Sequence, residues 1–205
     1  MGRGMSLLRV DLQAIASMVP HGASVIDIGC GEGDLLDWLQ REKAIRGRGI
    51  EINQQRVNRA IARGLSVIQG DAGSDLAYYP TQAYDYAILS QTLQALDNPR
   101  EVLEQLVRIG RHAIVSVPNF GHWKNRFYLL WHGRMPVTRS LSYQWYDTPN
   151  IHFCTIRDFV VLCETLGLTI EQRLWVSHQG APARFSRYGL LANLCGEQGV
   201  FMITK

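Results

Sequence analysis

Residues 25–34, VIDIGCGEGD, constrain the fold more than any other stretch of this chain. Val25, Ile26 and Ile28 form a short apolar run with β-branched members, suited to a strand buried on both faces. Gly29, Gly31 and Gly33 follow at alternate positions. Leu35, Leu36, Trp38 and Leu39 then resume at helical spacing, so the glycines occupy a strand-to-helix turn. Without Cβ atoms a backbone can approach a ligand closely, and the start of the helix is expected to point free N–H groups at whatever binds there. Alone, the turn carries little weight, because an unliganded tight turn uses the same residues.

Its surroundings narrow the choice. Ile50-Glu51-Ile52 places a carboxylate about twenty residues on, where a nucleotide-binding doubly wound fold holds ribose hydroxyls. The dinucleotide fingerprint needs a third glycine where this chain has Asp34. Asp27, Glu32 and Asp34 put three carboxylates around the turn, which repel a pyrophosphate and disfavour NAD and FAD. A cationic nucleoside without phosphates suits them.

The run from Asp27 to Gly33 resembles the acidic-x-Gly-x-Gly-x-Gly signature of class I methyltransferases. That resemblance implies a site for S-adenosylmethionine or S-adenosylhomocysteine built on Asp27, Gly29, Cys30, Gly31 and Gly33, with Glu51 and Ile52 at the end of the second strand. It also implies that Asp71, in Gly70-Asp71-Ala72, accepts from the adenine amino group while the Ala72 backbone lies near the ring. Read locally, Asp71 is equally a turn residue or a helix cap. Ser90 and Gln91 end a fourth strand, the side of an open α/β sheet on which ligands bind, and are expected near the methionine part of the ligand or the substrate.

At 205 residues the chain is expected to form one domain, 1–205. Apolar spacing predicts a leading helix over 7–19, a strand over 47–52, a helix over 53–63, a strand over 67–69 and a strand from Tyr84 to Leu89. Asn98-Pro99 is a capping Asn followed by Pro at the first helical position, and that helix runs to Gly110. A fifth strand covers 113–117. Thr155 with Asp158 three residues on starts a later helix as a variant capping box, and 169–176 and 200–204 read as closing strands. The expected architecture is a Rossmann-like class I methyltransferase fold. Its sheet is mostly parallel and seven-stranded with one antiparallel closing strand, and helices cover both faces.

Residues 119–154 interrupt the alternation of strands and helices with about 35 residues and one helix near 123–131, the form of a lid or binding surface. Lys124, Arg126, Arg134 and Arg139 lie between Gly121 and Trp145 with no acidic residue, among Trp123, Phe127, Tyr128, Trp131, Tyr143 and Trp145. Such interleaving serves single-stranded nucleic acid, a protein interface, or a lid helix with snorkelling cations. A net charge of +3 is too small to imply a polyanionic partner by itself, so nucleic acid is disfavoured. No apolar run reaches the ~20 residues of a membrane span. The start lacks a signal peptide's apolar centre and Met5 is an alternative start, so a cytoplasmic protein is expected. The four cysteines, Cys30, Cys154, Cys163 and Cys195, have no metal-ligand spacing.

In the second half, SQTLQAL (90–96), VPNFGHW (117–123), GRMPVT (133–138) and YQWYDTPNIHFCTIRDF (143–159) resemble the methionine biosynthesis protein MetW family, over about residues 5–176. The resemblance implies a methyltransferase-fold protein that works with a homoserine O-acyltransferase. It implies no methyl acceptor and no catalytic base. Tyr143, Tyr146, Asp147, His152 and His122 are the candidate bases, each also explained by turn or lid packing, and His21 and His178 have no visible partner. Three readings remain: an accessory partner of the acyltransferase, an autonomous small-molecule methyltransferase, and an RNA methyltransferase.

Overall fold

The computed structural model describes residues 8–138, 141, 143–177, 182–185 and 189–205. Met5, Arg139 and His178 lie outside these residues. The chain runs α1 (Val10–Met18), β1 (Ser24–Ile28), α2 (Asp34–Lys43), β2 (Arg46–Glu51), α3 (Gln54–Ala62), β3 (Val67–Gln69), β4 (Tyr84–Ser90), α4 (Pro99–Ile109) and β5 (Gly110–Pro118). It continues through α5 (Trp123–His132), α6 (Ile156–Thr165), β6 (Thr169–Val176), β7 (Ala183–Arg184), α7 (Leu190–Cys195) and β8 (Gln198–Thr204).

One sheet takes the order β3-β2-β1-β4-β5-β8-β6-β7. Strands β1 to β5 pair in parallel, and β8 lies antiparallel between β5 and β6. The sheet has eight strands rather than seven. The added β7 is two residues long and pairs with Leu174 and Trp175 at the edge. Neither it nor α7 has a periodic pattern long enough to be read from the sequence, and the leading helix is shorter than expected. From β1 the chain builds outward to β2 and β3, then returns to β4 on the other side. The switch point therefore lies between β1 and β4, where ligands bind in such sheets.

Alternation along β1 divides the core in two. Ile26 and Ile28 join Leu103, Leu106, Phe159 and Phe201 under α4 and α6, whereas Val25 joins Ile15, Leu36, Leu39 and Val57 under α1, α2 and α3. Fully burying each such side chain contributes roughly 1.5–3 kcal/mol. Caps fix the helix starts: the Asn98 side chain accepts from Glu101 N, and Thr155 and Asp158 form a reciprocal capping box. In α5 only Asn125 is buried, so this helix does not pack its apolar side chains on the sheet.

Candidate functional site

The glycine turn leaves β1 with Gly29 at φ +71°, where a Cβ would meet Thr92 Oγ1 at 2.6 Å. Only glycine fits there, both for the left-handed backbone and for the close approach. Gly31, at φ +61°, would point its Cβ into open space. Four N–H groups of the turn itself are already engaged, which leaves the start of α2 as the place for free ones. Gly29 N and Cys30 N donate to Ile50 O (2.8 and 3.1 Å), Gly33 N to Cys30 O (3.0 Å), and Gly31 N to Glu51 Oε2 (2.8 Å). β2 lies close enough alongside to take three of these four donors, so the turn offers a ligand mainly acceptors and space.

Only part of the expected acidic cluster remains free of cations. Arg59 of α3 pairs with Glu32, and Arg63 pairs with Asp34 at 2.6 Å and Asp37 at 2.9 Å. Asp27 is 2% exposed and its Oδ1 has no hydrogen-bond partner among the described residues. Burial pushes its carboxyl up from 3.8 to about 7; the Arg9 guanidinium opposes this, and the Glu51 charge adds to it. Glu51 is 4% exposed; its two oxygens accept from Gly31 N and, at 2.9 Å, Asn53 N, leaving further lone pairs on each. Burial first, then the charges of Asp27 and Glu51, also raise the Cys30 thiol far above its usual range. Cys30 is therefore a packed, protonated thiol and no nucleophile.

Asp27, Gly29, Cys30, Gly31, Ser90 and Gln91 line one cleft of about 610 Å³, within the range of small-molecule sites. Glu51 reaches its wall through Gly31. Gly33, Ile52, Asp71 and Ala72 are not on its surface. Gly70 N donates to Glu51 O at 3.1 Å, so Asp71 and Ala72 follow the end of β3 beside β2, and the Ile52 side chain there is 65% exposed. Asp71 Oδ1 accepts from Gly73 N at 2.8 Å and Asp71 O from Asp75 N at 2.9 Å. That is the turn and cap role open to it from local sequence.

The sequence did not single out Arg9 or Asp11. Asp11 is 2% exposed on α1, and its Oδ2 accepts from Arg9 Nη2 (3.1 Å), Ser90 Oγ (3.2 Å) and Gln91 Nε2 (3.1 Å). It fixes the side chains ending β4 across some eighty positions of sequence, and an acid in a helix's first turn looks like ordinary dipole compensation. Gln91 holds φ +49°, with its N–H bonded to Ser116 O and Oγ.

Of the candidate bases, Tyr143 lines the cleft, with Pro149 and Asn150; Tyr146, Asp147, His152 and His122 do not. The His122 ring caps α5, its Nδ1 accepting from Lys124 N at 3.2 Å, and burial holds its pKa below the ordinary value. His152 is tied to the turn after β4, its N–H bonded to Gln94 O at 3.0 Å. His21 is exposed. No cluster of metal-ligating side chains occurs among the described residues, and no helix among them is long and apolar enough to cross a membrane.

S-adenosylmethionine carries an α-ammonium and a sulfonium but no phosphate. The orphaned Asp27 Oδ1 and the adjacent Glu51 fit that group, although Arg9 and Arg56 also line the cleft. The segment after β5 leaves several large apolar side chains exposed. Phe127, Leu130, Trp131, Trp145 and Tyr146 are each more than half exposed, and Trp145 meets Tyr146 edge to face at 5.6 Å.

The family model described as methionine biosynthesis protein MetW matches residues 9–203. A bifunctional methionine biosynthesis protein MetXA/MetW of Rhodopirellula baltica is 36% identical over 183 residues, which cover 84% of this chain and 29% of that protein. A ubiquinone biosynthesis O-methyltransferase of Photorhabdus laumondii is 33% identical over 106 residues, 48% of this chain and 44% of its own length. The chain thus spans less than half the length of either relative. Among solved structures, a SAM-dependent methyltransferase of Thermotoga maritima, described as a possible histamine N-methyltransferase, superposes with TM-score 0.67 at 21% identity, covering 96% of this chain and 87% of its own. A SAM-dependent methyltransferase of Archaeoglobus fulgidus gives TM-score 0.69 at 18% identity, covering 98% and 94%. These likenesses establish the class I methyltransferase fold. The family match extends over nearly the whole chain, the segment beyond β5 included: this chain belongs to the methionine biosynthesis protein MetW family.

Proposed function

We infer that the chain binds S-adenosylmethionine or S-adenosylhomocysteine at the switch-point cleft and acts as an accessory or regulatory partner of a homoserine O-acyltransferase. The observation that carries the cofactor half is Asp27, a buried carboxylate with one oxygen unpartnered in a ligand-sized cleft. Asp27 would take the α-ammonium, Glu51 the ribose hydroxyls, and the glycine turn would admit the sugar without steric conflict. Ile52, Asp71 and Ala72 lie along the β2–β3 end, in the direction an adenine would extend. The cofactor supplies an activated methyl group, for which transfer needs chiefly an aligned nucleophile. Tyr143 is the one candidate base that lines the cleft. This leaves an autonomous methyltransferase as the second reading.

The partner half rests on composition and exposure together. Exposed Trp, Tyr and Phe beside Lys124, Arg126 and Arg134 make an anchor-rich surface of the kind proteins bury on association. The MetXA/MetW relative joins two methionine-biosynthesis parts in one polypeptide, which supports a partner from the same pathway. Tyr143, Pro149 and Asn150 face the cleft while Trp145 and Tyr146 project outward. One loop thus meets both the ligand and the surface, so cofactor occupancy would change partner affinity. Gel filtration of the chain with a homoserine O-acyltransferase, with and without S-adenosylhomocysteine, tests this. Co-elution that responds to the nucleoside supports it; separate elution in both conditions removes the partner role. Salt-dependent RNA binding would instead revive the nucleic-acid reading.

A further inference from the structure

The sheet carries a second cleft at its other end. It opens where β1, β2 and β4 begin, with Ser24, Arg46 and Tyr84 the first residues of those strands, and has a volume of about 920 Å³. The five residues of β1 separate this end from the glycine turn, about 16 Å at ~3.3 Å per residue. The volume lies within the range of small-molecule sites, at the opposite end of the strands from the one where open α/β sheets ordinarily bind ligands.

The charge lining this cleft is uncompensated. Arg46 and Arg48 of β2 both line it and both are exposed, and neither side chain has a hydrogen bond or ion pair among the described residues. Residues two apart on a strand share a face, here with Cα atoms about 6.6 Å apart, and like charges held side by side repel. The acids close by are committed elsewhere. Asp85 Oδ2 accepts from Ser24 N at 2.9 Å and from Ser24 Oγ at 2.8 Å. Those bonds hold its carboxyl below the usual range, and the charges of Arg111 and Arg46 assist them without forming an ion pair. Asp75 Oδ2 accepts from Asp71 N at 2.9 Å, and its Oδ1 accepts from Ser74 Oγ at 3.0 Å.

Beside the arginines the cleft wall is aromatic. Tyr78, Tyr79 and Tyr84 line it; the Tyr79 and Tyr84 rings are tilted with centroids 6.4 Å apart, and Tyr78 is 86% exposed. Burial raises the Tyr79 hydroxyl above its usual range and Tyr84 adds to this, whereas the Arg48 charge opposes it. A guanidinium thus stands next to the aromatic wall. The segment that carries this wall is fixed by Arg108 of α4, which donates to Leu76 O at 2.9 Å and to Tyr79 O at 2.6 Å.

We propose that this cleft binds a ligand of the nucleotide class, a phosphate ester carrying a planar ring, with Arg46 and Arg48 on the phosphates and Tyr78 and Tyr79 against the ring. Guanidinium forks match phosphate oxygens bidentately, and a flat ring stacks on tyrosine. An anion between the two arginines replaces their mutual repulsion with attraction to a shared partner. The size of the cleft suits a single nucleotide. The inference is independent of the cofactor reading, because the two clefts share no lining residue.

Calorimetry on the full chain tests the site, with S-adenosylhomocysteine in excess to occupy the glycine-turn cleft. The probes are ADP, adenosine, pyrophosphate and a single-stranded oligoadenylate. ADP should bind saturably, pyrophosphate more weakly and adenosine not at all. Arg46→Gln and Arg48→Gln should each weaken ADP about tenfold, the loss of one charge-assisted contact, and leave S-adenosylhomocysteine affinity unchanged. Tyr78→Ala should weaken ADP about fivefold, the equivalent of one lost stacking contact, without changing pyrophosphate. Absence of ADP binding, displacement of ADP by S-adenosylhomocysteine, or unchanged ADP affinity in both arginine variants overturns the site. Pyrophosphate equal to ADP, or oligoadenylate bound more tightly than ADP, overturns the nucleotide assignment. The arginine variants read this cleft whether or not a nucleoside binds at the turn, so the two readings fail separately.

Discussion

Replacing Asp27 by Asn alters charge at nearly constant shape, in a carboxylate whose burial holds its pKa at about 7. The unfolded chain releases this proton near 3.8, so between those values the folded state binds more protons than the unfolded one. The stability that a protonated Asp27 allows is therefore fully present below about pH 4 and is lost as the pH rises to about 7. At about 1.36 kcal/mol per pKa unit, ionising Asp27 in the empty cleft costs on the order of 4 kcal/mol. Asp27→Asn should recover most of that above pH 7 and nothing below pH 4. In a domain of this size the gain corresponds to a rise in Tm on the order of 10 °C at about pH 8. Ligand affinity should move the opposite way. A bound cation requires the carboxylate, so the native chain should bind S-adenosylhomocysteine more tightly as the pH rises through about 7, and Asp27→Asn should bind weakly at every pH. Thermal melts and calorimetry from about pH 5 to 8 measure both. Parallel melting curves for the two proteins, or unchanged affinity and unchanged pH dependence in the variant, would refute the assignment of Asp27 as an unpaired cation site.

Gly31→Val should weaken S-adenosylhomocysteine binding, because its side chain would project into the open cleft. The left-handed backbone should also cost roughly 1–2 kcal/mol of stability, read as a shift in the urea midpoint; unchanged affinity would exclude the turn from the site. Trp131→Ala should weaken the acyltransferase complex without changing nucleoside affinity, since the ring is 78% exposed. Trp123→Ala should do so to a smaller extent, because that ring is partly covered by Phe127 and Lys124. A complex indifferent to both changes places the interface elsewhere. Saturating acyltransferase should shift the nucleoside dissociation constant by a factor corresponding to roughly 1–3 kcal/mol of coupling, and linkage requires the reverse effect to be equal. Equal constants with and without partner would rule out coupling.

The strands and the cleft's main wall were legible because their signals are local. β-branched runs, alternate glycines, the Asn98-Pro99 start and the Thr155–Asp158 capping box each specify geometry within a few residues. What escaped was non-local. Asp11 holds Ser90 and Gln91 only because α1 lies over the sheet end. The bonds from the turn's N–H groups to Ile50 O and the Glu51 side chain likewise exist only because β2 lies alongside. Glu32 and Asp34 line the cleft, but Arg59 and Arg63 of the α3 region reach across and pair with them, which no local pattern shows. Residues 177–198 had no periodicity long enough to show that α7 and the short β7 lie there.

The most direct test of the account is a calorimetric titration of S-adenosylhomocysteine into the native chain and into Glu51→Ala. Hydrogen bonds to a charged group contribute roughly 1.5–3 kcal/mol each, so removing the Glu51 carboxylate should weaken binding by on the order of tenfold to a hundredfold. Saturable one-to-one binding by the native chain with that loss in the variant is the predicted result. No binding by the native chain, or equal affinity in the two proteins, would contradict the account.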